Sequence, residues 1–254
     1  MAKEGVGVVR VATLNVWGQH GPWGERLRLI REELAVLQPD VIGLQEVVRR
    51  DGACQAAGIA DGLGYEVAYA PAVDFGGRVL GNALLSRWPV VRQDVLALPV
   101  DGVEPRALLR ALVDTPAGTL PVFVTHLDWE LDRSAARVEQ VRFIVSAMGG
   151  WGGDLPAVLL GDFNAEPGSA EIRFLCGSGL VDAWEAAGDG SLGMTFDVSN
   201  DYARLADEPS RRLDYVFTGA AVGEVRVVFN RSVEVDGVAV WPSDHFGVMA
   251  ELVG

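Results

Sequence analysis

Trp241-Pro242-Ser243-Asp244-His245-Phe246-Gly247-Val248 sets an acid–imidazole step at the head of an apolar run that continues to Leu252. Only three histidines occur in 254 residues. A second one, His126, ends the apolar run Val122-Phe123-Val124-Thr125. A third segment, Val158-Leu159-Leu160-Gly161-Asp162-Phe163-Asn164, delivers an acid and an amide at the end of another. Acids, amides and imidazoles gathered at strand ends suit metal-assisted attack on a phosphate.

Outward from these stretches, short apolar runs bounded by Gly, Pro, Asn or Asp recur along the chain. Residues 6–16, 41–45, 65–70, 82–85, 90–98, 107–113, 120–126, 157–160, 213–217, 225–229 and 245–252 read as strands. Helical spacing appears over 25–38, where Leu27, Ile30, Leu34 and Leu37 share a face and Pro39 ends it. Further helices are expected over 132–148, closed by Gly149-Gly150, and over 170–175. Strands dominate, with helices mostly in the first two thirds, which predicts two packed sheets with helices outside, an α+β sandwich in layers. No linker or fixed-period repeat divides the sequence, so residues 1–254 read as one domain. The least regular stretch is 188–212, and long connections of that kind are often functional.

Composition narrows the classes. Hydrophobic residues make up 49%, ample for a core, and the formal net charge is −14 with Lys3 the only lysine. Such a field repels a long polyanion unless arginines cluster or a metal inverts the local sign. Nucleic acid is therefore a possible partner that the charge does not favour. Cys54 and Cys176 are too few for a disulfide framework or a cysteine zinc site and read as two small buried side chains. Residues 1–7 lack the apolar core of a signal peptide, and no run approaches the roughly 20 residues that span a bilayer. A cytoplasmic monomer without membrane insertion is the expectation.

Taken in order, the polar residues at the ends of apolar runs are Asn15, Glu46, Asn82, His126, Asp162, Asn164, Asp214, Asp244 and His245. Singly, each has an ordinary explanation. Strand-end Asn and Asp bond nearby backbone amides, and a lone histidine under a strand is commonly a hydrogen-bonded core residue. Their number in one sheet system is what those explanations leave over.

The ordered set Thr-Leu-Asn15-Val-Trp, Leu-Gln-Glu46-Val, Gly-Asn82-Ala-Leu-Leu-Ser-Arg, Thr-His126-Leu, Gly-Asp162-Phe-Asn164, Arg-Arg-Leu-Asp214-Tyr-Val and Ser-Asp244-His245-Phe-Gly-Val resembles the endonuclease/exonuclease/phosphatase superfamily. The match runs from about residue 8 to residue 251. The resemblance implies a four-layer αββα sandwich, two mainly antiparallel sheets face to face with helices outside, and a divalent-metal hydrolase of phosphate esters. It implies Mg²⁺, or Mn²⁺, with Ca²⁺ a further option. Glu46 is the implied principal metal ligand, with Asn15 and Asp244 close to the metal or its water. Asp162 orients or deprotonates the attacking water, Asn164 holds water or phosphate, and His245 contacts the phosphate with Asp214 behind it. His126 donates to a phosphate oxygen from the other side, and Asn82 and Arg106 line the phosphate pocket. Both Asp162 and His245 fit the role of base; Asp162 is preferred because Asn164 can position the same water.

The motifs define the chemistry more closely than the substrate: a compact phosphodiester or phosphomonoester is preferred, and the expectation is a phosphodiesterase on a small or lipid-derived phosphodiester, by in-line attack of water. A DNA or RNA nuclease is the rival, and Arg49, Arg50, Arg78, Arg87, Arg211 and Arg212 are its basic candidates. Trp17, Trp23, Trp129 and Trp241 are candidate stacking residues or inter-layer packing. A non-catalytic phosphate-binding protein would have lost one of Glu46, His126, Asp162 or His245, and all four are present.

Overall fold

The computed structural model describes residues 7–99 and 104–253. Val6 and Lys3, and the ends of the expected 1–254 domain, lie outside them. In chain order the elements are β1 (Val9–Asn15), α1 (Trp23–Leu37), β2 (Val41–Arg50), β3 (Ala53–Cys54), α2 (Gln55–Ala60), β4 (Glu66–Asp74), β5 (Arg78–Ser86), β6 (Val90–Ala97), β7 (Ala107–Thr115) and β8 (Gly118–His126). They continue with α3 (Ser134–Met148), β9 (Val158–Asp162), α4 (Ala170–Gly177), β10 (Val181–Asp182), α5 (Ala183–Ala187), α6 (Asp201–Arg204), β11 (Asp214–Thr218), β12 (Ala221–Val228), β13 (Val233–Val235), β14 (Val238–Val240) and β15 (Gly247–Val253).

Two sheets carry the structure. One runs β12-β15-β1-β2-β5-β4, with β3 on β2, and the other runs β10-β11-β9-β8-β7-β6. Every pairing in them is antiparallel except β1–β2 and β8–β9, one parallel pair in the middle of each sheet. A parallel pair sets two carboxyl ends side by side, and those ends host the site described below.

Strand periodicity explains the layers. Val9 and Val11 of β1, Val122 and Val124 of β8, Leu160 of β9 and Val248 and Ala250 of β15 point between the sheets into one shared core. Their neighbours point outward: Ala12, Leu14 and Met249 pack with Ile30 and Leu34 of α1 and Ile59 of α2. On the far side Phe123, Leu159, Tyr215 and Phe217 meet Val141 and Ile144 of α3 and Leu175 of α4. Strands buried on both faces read as continuous apolar runs, not as alternation. Four layers result, helix–sheet–sheet–helix, as the sequence led one to expect.

Differences are local. The expected strand 41–45 extends to Arg50, and 245–252 begins at Gly247, leaving His245 in the preceding loop. Among the described residues the six helices are not concentrated in the first two thirds, since α4, α5 and α6 follow residue 169. The cysteines are not the buried pair expected: Cys176 is exposed and Cys54 only half-buried.

The sheets approach closely at Gly43. A Cβ there would lie 3.0 Å from both Leu160 Cβ and Val124 Cγ1. Overpacking a close-packed core costs about 1–3 kcal/mol, and each kcal/mol lowers Tm by about 2–4 °C in a domain of this size. Gly43→Val is expected to lower the thermal midpoint accordingly in calorimetry. An unchanged midpoint would mean that the sheets do not meet at this distance.

Candidate active site

Asn15, His126 and Asp162 are the last residues of β1, β8 and β9. Pairing register places His126 beside Asp162, and Asp162 beside Asp214 at the start of β11. Glu46 arrives differently. Pairing between β2 and β5 slips between Leu44 and Val47, and Glu46 in that bulge has φ 57°. Bulges re-aim a side chain that the regular pleat would send elsewhere. Asn164 (φ 48°) and Trp17 (φ 53°) are also left-handed. Such conformations cost non-glycine residues about 1–3 kcal/mol each and persist where the surroundings hold them.

Side-chain contacts join these residues. Asn15 Nδ2 donates to Glu46 Oε1 at 3.1 Å and to Asp162 Oδ2 at 3.0 Å, while its Oδ1 accepts from the Trp17 N–H at 2.9 Å. Asp162 Oδ1 accepts from the Asn164 N–H at 2.9 Å. Ser243 Oγ donates to the Asn15 carbonyl at 2.6 Å and so ties the Asp244 segment to β1. His245 Nδ1 lies 2.8 Å from Asp214 Oδ2. Thr195 Oγ1 accepts from the backbone N–H groups of Leu213 and Asp214, and the Phe196 ring meets the His245 ring edge-on at 5.2 Å. The irregular stretch 188–212 thus supplies support to the Asp214–His245 pair.

The two histidines carry different charge. Burial disfavours the His245 cation, but Asp214 and Asp162 outweigh it and hold the ring well above its ordinary value. His126 is pushed well below, by burial first and then by Arg106 and His245. Arg106 Nη1 lies 3.2 Å from His126 Nδ1, and a guanidinium only donates, so the His126 proton belongs on Nε2. That nitrogen is 3.5 Å from Asp162 Oδ2 and 3.0 Å from Asn164 Nδ2. Two N–H groups therefore adjoin; Asn164 Nδ2 also donates to the Leu127 carbonyl at 3.2 Å, and an anionic oxygen placed between the two groups would accept from both. Asp162 itself is raised by burial and by Asp214, against His245, Asn15 and Asn164.

Two groups of residues could hold a metal. Burial pushes the Asp244 carboxyl up to about 7 and Glu46 adds to it, against His245, Ser243 and Arg26. Two carboxylates that repel one another are hard oxygen donors suited to a divalent cation, which would relieve the repulsion. Asp162, Asp214 and His245 form the second group, with ligand atoms within 4.8 Å of one another. There the imidazole Nδ1 is already committed to Asp214, so the Glu46–Asp244 pair fits the ion better. Asn15 Nδ2 donates to Glu46 Oε1, which keeps the expected Asn15 beside that pair.

The remaining expected residues divide. Asn82, whose Nδ2 donates to the Ala107 carbonyl at 2.8 Å, lines a narrow pocket with Glu46, Arg106 and His126. Arg106 also pairs with Glu104 at 3.2 Å. Among the basic candidates Arg212 turns away: it is buried, 2.7 Å from Asp182 and 2.8 Å from Glu185. Arg211 is held by Glu208, Arg49 lies over Tyr69, Arg50 pairs with Asp51, and Arg87 lies over Tyr65. Only Arg78 of that set lines the cavity at the site. Of the tryptophans, Trp129 lines it, whereas Trp17 and Trp23 pack against Arg26 and Trp241 donates to Asp201.

Arg26 was not anticipated. It is fully buried and donates to the carbonyls of Val16, His20 and Pro242, joining the loop after β1 to the segment before Asp244. Burial lowers it to about 10, with Asp244 and Glu46 opposing the shift. Its sequence signal is an arginine on the same helical face as Ile30 and Leu34.

Ring-nitrogen NMR tests this charge division. His245 is expected to stay protonated through pH 7 and His126 to stay neutral well below pH 6.5. Because the folded-state value of His245 is raised, its share of stability is fully present below about pH 6.5 and lost as pH rises through that value. Asp214→Asn is expected to bring His245 down sharply. Both rings titrating together near pH 6.5 would contradict the division.

Comparison with known proteins identifies the family. A model of the Endonuclease/Exonuclease/phosphatase family matches residues 12–245. The chain is 30% identical over 168 residues to carbon catabolite repressor protein 4 homolog 3 of Arabidopsis thaliana, covering 62% of this chain and 36% of that protein. It is 26% identical over 247 residues to tyrosyl-DNA phosphodiesterase 2 of Gallus gallus, covering 89% of this chain and 61% of that protein. It thus spans less than two thirds of either relative. The solved structure of a mannosyl-6-phosphatase from Bacteroides thetaiotaomicron superposes with a TM-score of 0.78 at 23% identity, over 97% of this chain and all of that one.

Proposed function

The chain belongs to the Endonuclease/Exonuclease/phosphatase family, and from that premise we propose that it is a divalent-metal-dependent hydrolase of phosphoric esters, a phosphodiesterase acting on a small phosphodiester. The observation that carries this reading is one buried carboxylate, Asp162, flanked by a neutral and a cationic histidine at 3.5 Å and 3.8 Å. Environments that drive titratable groups apart are how one site holds an acid and a base at the same pH.

In this reading Glu46 and Asp244 hold Mg²⁺ or Mn²⁺. When bound, the cation supplies Lewis acidity to the phosphoryl oxygens. Asp162 accepts a proton from the attacking water, and its raised pKa makes it a better acceptor than an ordinary carboxylate. Asn164 and Asn15 fix the direction of its two oxygens. His245, kept cationic by Asp214, donates Nε2–H to a phosphoryl oxygen and balances the charge that builds there. His126 Nε2–H and the Asn164 amide donate to another. Arg106 holds the His126 tautomer, and Asn82 lines the floor beside it.

A small substrate is favoured by scale and charge. The cavity at the site measures about 330 Å³, and a net charge of −14 opposes a long polyanion. The inter-sheet core draws on the first and last strands alike, which supports one domain. Among the described residues no helix is long and apolar enough to cross a membrane.

Bis-p-nitrophenyl phosphate with Mg²⁺ or Mn²⁺ is the first assay. Hydrolysis is expected, abolished by EDTA and lowered about 10²–10⁴-fold in Glu46→Ala and in His245→Ala. Absence of hydrolysis with either metal, or full activity in both variants, would contradict the reading.

A further inference from the structure

Behind the Glu46–Asp244 pair lies a buried cation that holds no acid. Four arginines are buried among the described residues: Arg26, Arg106, Arg137 and Arg212. Arg106 pairs with Glu104, Arg137 with Glu171, and Arg212 with Asp182 and Glu185. Arg26, on the buried face of α1, has no ion pair among the described residues. Each of its three side-chain nitrogens donates to a backbone carbonyl instead: Nε to Pro242 at 3.1 Å, Nη1 to His20 at 2.7 Å and Nη2 to Val16.

An ion taken out of water without a paired countercharge is costly. Burial lowers the guanidinium to about 10, opposed by Asp244 first, then by Tyr202 and Glu46. The carboxylates that answer its charge are therefore the two proposed for the cation. They do so through space, since all three nitrogens are committed to carbonyls.

The three carbonyls lie on two arms of the site. One arm leads to Glu46: Val16 donates its N–H to the Gln45 carbonyl at 3.0 Å, next to Glu46 in the chain. Trp17, whose ring lies 4.9 Å from the guanidinium, donates its N–H to Asn15, which in turn donates to Glu46. The other arm leads to Asp244: Pro242 stands two residues before it, and the Ser243 carbonyl accepts from Asn200 Nδ2 at 2.8 Å. Asn200 caps α6, and Tyr202 of α6 stacks on Trp17 at 4.9 Å, so the arms also meet outside Arg26. The left-handed backbones of Trp17 and Glu46 both fall on the first arm, and such conformations persist where the surroundings hold them.

We infer that Arg26 is the positioning residue of the cation site: its planar fork fixes the Val16, His20 and Pro242 carbonyls relative to one another and so sets the separation of Glu46 and Asp244. Arg26 touches neither the cation nor the substrate. The inference rests on the reading that Glu46 and Asp244 hold the cation. Two effects of the guanidinium oppose each other. A fixed positive charge nearby repels a cation, whereas a fixed pair of ligands binds one more tightly. Three nitrogens on three carbonyls favour the second, because a bare charge needs no such fork.

The test is the Mn²⁺ dissociation constant from electron paramagnetic resonance titration of the whole chain, well below the thermal midpoint of each variant. Arg26→Met keeps the stem and loses the fork, and is expected to raise that constant about tenfold to a hundredfold. Arg26→Lys keeps the charge on a single point and is expected to raise it by a smaller factor. Arg137→Lys is the control: it loosens a buried arginine that holds Glu171 and the carbonyls of Asp128 and Glu130, and should lower the midpoint without moving the constant. Unchanged or tighter Mn²⁺ binding in Arg26→Met overturns the inference, as does an equal loss in Arg137→Lys. If Arg26→Met does not fold, Arg26→Lys decides, and wild-type affinity there overturns it. Arg26-dependent Mn²⁺ binding without hydrolysis of bis-p-nitrophenyl phosphate leaves the inference standing and ends the hydrolase reading. Hydrolysis with an affinity indifferent to Arg26 does the reverse, and a wild type that binds no Mn²⁺ overturns both.

Discussion

A carboxylate that is 1% exposed governs the site: Asp162 is buried where the two sheets end, and an ionised acid there must be compensated. Compensation comes from four directions, the amide of Asn15, the backbone of Asn164, and the rings of His126 and His245. Each belongs to a different strand end or loop. Asp214, completely buried one register place away, fixes the charge of His245 and raises Asp162 in the same stroke. Remove that arrangement and neither the acid nor the imidazole keeps its protonation state.

The fold places these groups by topology more than by propensity. One parallel pair at the centre of each sheet brings Asn15, His126 and Asp162 to a common edge, and antiparallel neighbours return Asp214 and His245 to the same edge. Close sheet contact is achieved with Gly43 against Leu160 and Val124. Local strain is tolerated at Trp17, Glu46 and Asn164, all next to the chemistry. Arg26 ties two of the site loops together from behind, its charge shielded by Trp17 and Trp23.

Much of this was legible in the sequence, for physical reasons. Strands buried on both faces leave continuous apolar runs, so eleven expected strands each have a counterpart, and α1, α3 and α4 lie where helical spacing put them. The strand-end polar residues were legible because their number exceeds what turn chemistry needs. Other features were not. The bulge at Glu46 interrupts the strand pattern, so β2 seemed to stop at Gln45. The short β3, β10, β13 and β14 are defined by pairing partners, not by their own residues. Arg212 read as a cleft residue because its partners Asp182 and Glu185 lie some thirty residues away in the chain. Arg78 could be named as a candidate, but only the cavity around it separates it from the paired arginines.

We propose a division of labour between two acidic groups: Glu46 with Asp244 would take the cation, and Asp162 with Asp214 and His245 would manage protons and phosphoryl charge. Anomalous diffraction from crystals soaked in Mn²⁺ tests it most directly. A manganese peak bonded to the carboxylates of Glu46 and Asp244, with His245 Nε2 free of metal, is the result this division requires. A single peak held by Asp162, Asp214 and the His245 ring would contradict it, because a metal-bound imidazole is neutral and cannot be the cationic donor.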